Sequence, residues 1–188
     1  MISSETDFGA PILQGWPRNP FKVIVGSHSE SVEVNAKYKK LSDESVTVQM
    51  INRLVQEDAY RVKFKGSSKV FWKLSSTEKL NWKNEAEEAG VLSLDIKINQ
   101  RDSNEALNLV SRCGEGCGSK IEIGDELIIG QWVKIGIDLN CMEQNGLNLE
   151  KIYDPLIIES TGNWEFDIGE ISLLGGTGGT AMLACSIN

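Results

Sequence analysis

From Leu92 to Leu173 apolar and polar residues alternate with a period of two, and this restricts the fold more than any other feature of the chain. Successive side chains of an extended strand point to opposite faces, so such a pattern marks strands that bury one face and wet the other. Leu92-Ser-Leu-Asp-Ile-Lys-Ile98 carries apolar residues at 92, 94, 96 and 98. Gln131-Trp-Val-Lys-Ile-Gly-Ile-Asp-Leu139, Asp154-Pro-Leu-Ile-Ile-Glu159 and Trp164-Glu-Phe-Asp-Ile-Gly-Glu-Ile-Ser-Leu173 read as further strands, with Asn145–Lys151 as a helical or 3₁₀ turn. No long helical pattern separates them, which predicts an all-β sandwich or barrel.

The first half reads in the same way. Residues 1–20 hold three of the four prolines and read as an irregular lead-in. Phe21–Val25, Val46–Met50 and Ala59–Lys65 follow as strands, the last with Tyr60, Val62 and Phe64 on one side and Arg61, Lys63 and Lys65 on the other. Gly66-Ser-Ser68 is a turn, and Lys69–Leu74 returns as the next strand, an arrangement that predicts an antiparallel hairpin. Residues 76–90 are a polar loop or one short helical turn, and Gly175-Gly-Thr-Gly-Gly179 opens a glycine-rich tail over 175–188. The chain thus divides into a lead-in, one β domain over 21–174 and the tail. Its 188 residues suffice for one core rather than two.

Charge narrows the partners. The 19 Lys and Arg against 27 Asp and Glu give a net charge of −8, which argues against nucleic acid or an anionic membrane, since both require a basic face. A neutral partner such as a glycan fits. No window approaches the roughly 18–20 apolar residues of a membrane span, and Met1–Asp7 is polar, so no signal peptide is visible.

Cys113-Gly-Glu-Gly-Cys117 has the backbone freedom for a small disulfide loop, with free thiols as the competing reading. A zinc site is disfavoured because the lone histidine, His28, lies far off in sequence. Acidic loops suit a structural calcium ion, although no EF-hand-like loop is present. No nucleophile-elbow glycine pattern surrounds any serine, so a catalytic serine or cysteine has no support and no catalytic residue is assigned.

Six segments fall in an order that resembles a known family. They are Gln56-Glu-Asp-Ala-Tyr-Arg61, Phe64-Lys-Gly66, Leu94-Asp-Ile-Lys-Ile98, Cys113-Gly-Glu-Gly-Cys117, Trp132-Val-Lys-Ile-Gly-Ile-Asp-Leu-Asn-Cys141 and Phe166-Asp-Ile-Gly-Glu-Ile-Ser-Leu173. Together they resemble the C-terminal galactose-binding-like domain of bacterial exo-β-glucosidases of glycoside hydrolase family 3, over roughly residues 20–174. The resemblance implies an antiparallel jelly-roll β-sandwich in a single domain. It further implies a non-catalytic accessory module acting on β-glucan or oligosaccharide beside the catalytic domains of a parent hydrolase, in the periplasm or outside the cell, without a cofactor. The alternative is a docking or oligomerisation domain with no sugar affinity. Two positions depart from the family: Met142 follows Cys141 where an aromatic is common, and Phe64 stands where Trp is common.

Sugar recognition needs aromatic faces for the ring C–H groups and planar polar groups for the hydroxyls. Period two puts Val133, Ile135 and Ile137 on one face of their strand and Trp132 on the other. It likewise sets Phe71 opposite Val70 and Trp72, and turns Asp95, Lys97 and Arg61 away from their apolar neighbours. The expected carbohydrate-binding face therefore comprises Trp132, Phe71, Asp95, Arg61 and Lys97.

Overall fold

A computed structural model describes residues 9, 11–123 and 127–184. In chain order the strands are β1 (Pro11–Gln14), β2 (Trp16–Pro17), β3 (Phe21–Ser27), β4 (Ser31–Glu33), β5 (Tyr38–Lys40), β6 (Val46–Ile51), β7 (Ala59–Phe64) and β8 (Val70–Ser76). Helix α1 (Lys83–Glu87) then leads to β9 (Val91–Gln100), β10 (Leu107–Gly114), β11 (Cys117–Ile123) and β12 (Trp132–Asp138). Helix α2 (Leu139–Gln144), β13 (Asp154–Ser160), β14 (Trp164–Leu174) and β15 (Ala181–Met182) complete the order.

These strands make two sheets, and the all-β sandwich expected from the sequence is the fold observed. One sheet runs β15-β12-β9-β14-β7-β6-β5, with β1 laid on β14; the other runs β11-β10-β13-β8-β3-β4. The even positions of β9 that alternate as apolar, Leu92, Leu94, Ile96 and Ile98, are all buried, as are Tyr60, Val62 and Phe64 of β7. The inner faces meet in one core in which Tyr60 of the first sheet packs against Trp72 of the second, ring centroids 6.2 Å apart. Both family departures lie in this core: Phe64 meets Phe166 edge-on at 5.1 Å, and Met142 is buried in α2. They alter packing and leave the outer faces untouched.

Several local expectations are corrected. β7 and β8 do not form a hairpin: β7 pairs with β6 and β14, whereas β8 pairs with β3 and β13. The Gly66-Ser-Ser68 turn instead carries the chain from one sheet to the other, because the apolar faces of both strands must turn toward the same core. The lead-in is not irregular from Pro11 onward, since β1 pairs with β14 and β2 with β1. The tail adds β15 in parallel beside β12. The strand expected to run to Leu139 stops at Asp138, whose side chain accepts hydrogen bonds from the N–H groups of Asn140 (2.7 Å) and Cys141 (3.4 Å) and so caps α2. The helical turn expected at Asn145–Lys151 is thus displaced to Leu139–Gln144, with the later segment in turns.

The Cys113–Cys117 disulfide is formed, Cα atoms 5.1 Å apart across the β10–β11 connection, and Cys141 is also disulfide-bonded. Among the described residues no helix is long and apolar enough to cross a membrane. Among the described residues no group of three His, Cys, Asp or Glu side chains could hold a metal ion.

The Tyr60 hydroxyl is buried with no hydrogen-bond partner among the described residues, and burial pushes its pKa up. An unsatisfied buried hydroxyl costs about 1–3 kcal/mol. Tyr60→Phe should therefore leave stability unchanged or raise it by about 1 kcal/mol in a urea titration. A fall in the midpoint would mean that the hydroxyl has a partner, such as a buried water.

Candidate functional site

The outer face of the first sheet carries a row of side chains that crosses six strands. Tyr38 of β5 stands opposite Gln49 of β6, Gln49 opposite Arg61 of β7, and Arg61 opposite Asp167 of β14. Asp167 stands opposite Lys97 of β9, and Lys97 opposite Trp132 of β12. Neighbouring strands lie about 4.8 Å apart, so five spacings give a track of roughly 24 Å, with an aromatic at each end and polar groups between.

Asp167 organises the centre of the row. Its side chain is fully buried and accepts four contacts: Arg61 Nε (2.8 Å), Arg61 Nη2 (2.9 Å), Asn99 Nδ2 (2.8 Å) and Lys97 Nζ (3.0 Å). Burial alone would favour the neutral acid, but the hydrogen bonds from Arg61 and Lys97 outweigh it and hold the carboxyl below its ordinary range. Lys63 and Arg61 also reach Glu165, at 3.1 and 3.6 Å, in the adjacent row.

The Trp132 end is built by a loop. Asp58 is buried and accepts from the backbone N–H groups of Arg53 (2.7 Å), Leu54 (2.9 Å) and Val55 (3.1 Å), which ties residues 52–58 into a fixed turn. Burial works against the Asp58 charge, and these three donors more than compensate, so its pKa is lowered. The turn sends Arg53 back across the sheet to an ion pair with Asp95 Oδ2, its guanidinium carbon 4.3 Å from the centre of the Trp132 ring. The path crosses β14 at Gly169, beside an irregularity in its pairing with β9; a Cβ there would come within 2.7 Å of Arg53 Nη1. Lys97 Nζ lies 5.4 Å from the same indole, which is half-buried under the two cations.

Asp95 is 4% exposed, and its Oδ1 accepts no hydrogen bond among the described residues. The ammonium group of Lys134 stands 4.0 Å from that oxygen. That oxygen is itself shielded from solvent, so the nearby charge of Lys134 rather than a hydrogen bond balances it.

Four of the five expected site residues, Trp132, Asp95, Lys97 and Arg61, therefore share one face. Phe71 does not: β8 belongs to the opposite sheet, and Phe71 points outward on the far side of the sandwich. Period two fixes which side of its own strand a residue takes, and the misassigned hairpin brought the wrong strand alongside. Sequence reasoning missed Arg53, Tyr38, Gln49, Asn99 and Asp167. Asp167 alternates with Phe166 and Ile168 and is within reach of the same pattern; Arg53 sits in a loop, where no periodicity points.

Residues 19–173 match the family model described as galactose-binding domain-like. No match was found among curated proteins. The exo-1,3/1,4-β-glucanase of a Pseudoalteromonas species superposes with a TM-score of 0.79 at 19% identity, over 98% of this chain and 23% of that enzyme. The isolated extra C-terminal domain of that glucanase gives 0.75 at 16% identity, over 94% of this chain and 98% of that domain. A family 11 carbohydrate-binding module from Clostridium thermocellum, solved with a β-1,3-1,4-mixed-linked tetrasaccharide, gives 0.55 at 15% identity, over 91% and 98% of the two chains. The chain thus shares its fold with accessory and carbohydrate-binding domains and spans under a quarter of the glucanase.

Removing the charge at the centre of the row tests its structural weight. Asp167→Asn leaves Arg61 and Lys97 without their common partner and should lower stability by about 3 kcal/mol or more. Because the folded-state pKa is depressed, the stabilisation from Asp167 is complete above the unfolded carboxyl value of about 4 and is lost as pH falls through the lower folded value. Denaturation midpoints should therefore converge between parent and variant as pH drops below about 4. A constant gap across that window would refute the assignment.

Proposed function

Because the chain belongs to the galactose-binding domain-like family over residues 19–173, we propose that it is a non-catalytic carbohydrate-binding module of a β-glucan-degrading hydrolase, working outside the cell or in the periplasm. The observation that carries the reading is the transverse row from Tyr38 to Trp132. Tyr38 is 55% exposed and offers an aromatic face at one end. Gln49, Arg61, Lys97 and Lys134 offer donors along the track. A linear oligosaccharide of several rings lies across strands on such a surface, and its hydroxyls supply both donors and acceptors.

The arrangement also explains why no reaction is assigned to this face. Its carboxylates are engaged: Asp167 with four donors, Glu165 with Lys63 and Arg61, and one oxygen of Asp95 with Arg53. A glycosidase pair requires one carboxyl kept protonated near neutral pH, and Asp167 is displaced in the opposite direction.

A second reading rests on a different observation. Trp16, Leu54 and Val55 are 45, 76 and 62% exposed, and exposed apolar side chains of this size favour docking onto catalytic domains. The superposed glucanase, of which this fold forms about a quarter, is consistent with that role.

Titration with mixed-linkage β-glucan tetrasaccharide, laminarin and cello-oligosaccharides, followed by calorimetry and tryptophan fluorescence, separates the two readings. The module reading expects saturable binding, weakened roughly fivefold or more by Trp132→Ala and by Tyr38→Ala alike, as for interface residues worth about 1 kcal/mol or more. Absence of binding at millimolar sugar would overturn it in favour of docking.

A further inference from the structure

The outer face of the opposite sheet holds a separate pocket of about 200 Å³, lined by Phe71, Lys73, Arg112, Asp154 and Glu159 together with Ser27 and His28. Phe71 stands between Gly26 of β3 and Glu159 of β13 in the cross-strand register. Its ring occupies the space that a side chain at position 26 would fill, since a Cβ on Gly26 would come within 2.5 Å of Phe71 Cζ. The ring is thereby laid toward β3, and the pocket opens beside it over β8 and β13.

The pocket walls alternate in sign. Lys73 Nζ lies 3.2 Å from Asp154 Oδ1 and 5.6 Å from the centre of the Phe71 ring. Lys69 Nζ and Arg112 Nη2 flank the two oxygens of Glu159 at 3.5 and 3.9 Å. Glu159 is only 5% exposed, although it lies on an outer face of the sandwich. Burying a carboxylate is costly unless it is well paired, and these separations are longer than tight charge-assisted hydrogen bonds of about 2.7–2.9 Å. The site therefore offers acceptors and donors spaced so that a hydroxyl can bridge them.

We propose that this pocket is a second sugar site, which takes one neutral pyranose ring with its C–H face on Phe71 and its hydroxyls between Glu159, Arg112, Asp154 and Lys73. Each carboxylate here is already faced by a cation, so an ionic ligand of either sign must compete with an existing pair, whereas a hydroxyl both donates and accepts. The volume is of the order of a single ring, in contrast to the long track on the other sheet. Two sites on opposite faces would let one module bridge two glycan strands, so that avidity rather than single-site affinity governs retention on a polymer. This proposal uses none of the residues of the Trp132 face and stands or falls apart from it.

The test is an amide-resolved NMR titration of the full chain carrying Trp132→Ala, so that the first face is silent. Methyl β-glucopyranoside is the neutral probe and glucuronate the anionic one. The proposal expects saturable shifts at Gly26, Phe71 and Glu159 with millimolar affinity, and weaker shifts with glucuronate. Phe71→Leu, which keeps the apolar volume without the ring, should weaken binding about tenfold or more, and Glu159→Gln should weaken it without disturbing the remaining spectrum. Shifts absent from these amides, equal or stronger binding of glucuronate, or full retention in Phe71→Leu would each overturn it.

Discussion

The exposed face of the larger sheet depends on one buried carboxylate. Asp167 has no solvent exposure, yet it sits on the outward side of β14, and isolated there it would be prohibitively costly. Arg61 and Asn99 engage Oδ1, and Arg61 and Lys97 engage Oδ2, so its acceptor sites are filled from the strands on either side. The same contacts cover it, because the long side chains of Arg61 and Lys97 lie over the central strand and exclude water. Strand order, side-chain order and charge order thus reinforce one another: β7, β14 and β9 are adjacent because their backbones pair, and they present a cation, an anion and a cation because those residues fall in register.

From that centre the face extends in two directions with different support. Toward β5 it is open: Gln49 and Tyr38 are exposed and, among the described residues, make no side-chain hydrogen bond to the row. Toward β12 it is covered. Asp58 fixes a turn, the turn delivers Arg53, and Gly169 leaves the space through which Arg53 reaches Asp95 and Trp132. A single Cβ at position 169 would obstruct that path, so the glycine positions a residue distant in sequence.

The period-two pattern makes the strands and their buried faces legible, because burial of alternate side chains is a local demand on each strand. Val62, Phe64, Leu94, Ile96, Ile135 and Ile137 are all inside, as the alternation requires. The order of strands is not legible in the same way. Whether β8 returns beside β7 or crosses to the other sheet depends on which apolar faces must meet, a property of the assembled sandwich. Phe71 shows the consequence: its outward orientation follows from its own strand, while its neighbours follow from the crossover. The short strands β4 and β5 and the loop residue Arg53 escape sequence reasoning because brief or irregular segments carry too few residues to display a period.

The covered end of the row also sets the character of any binding there. The Trp132 indole already has a guanidinium 4.3 Å above its ring centre, and a sugar seeking the same π-surface must displace that contact or use the edge that remains free. Displacement would separate Arg53 from a buried partner, Asp95, leaving that carboxylate with a second oxygen unsatisfied. Retention keeps the indole and both ionic groups preordered, so little side-chain entropy is lost when a ligand arrives. The physical balance favours retention. A ligand would then bind against the Arg53–Trp132 stack as a unit. Shape and hydroxyl orientation, more than bare aromatic area, would decide what the face accepts.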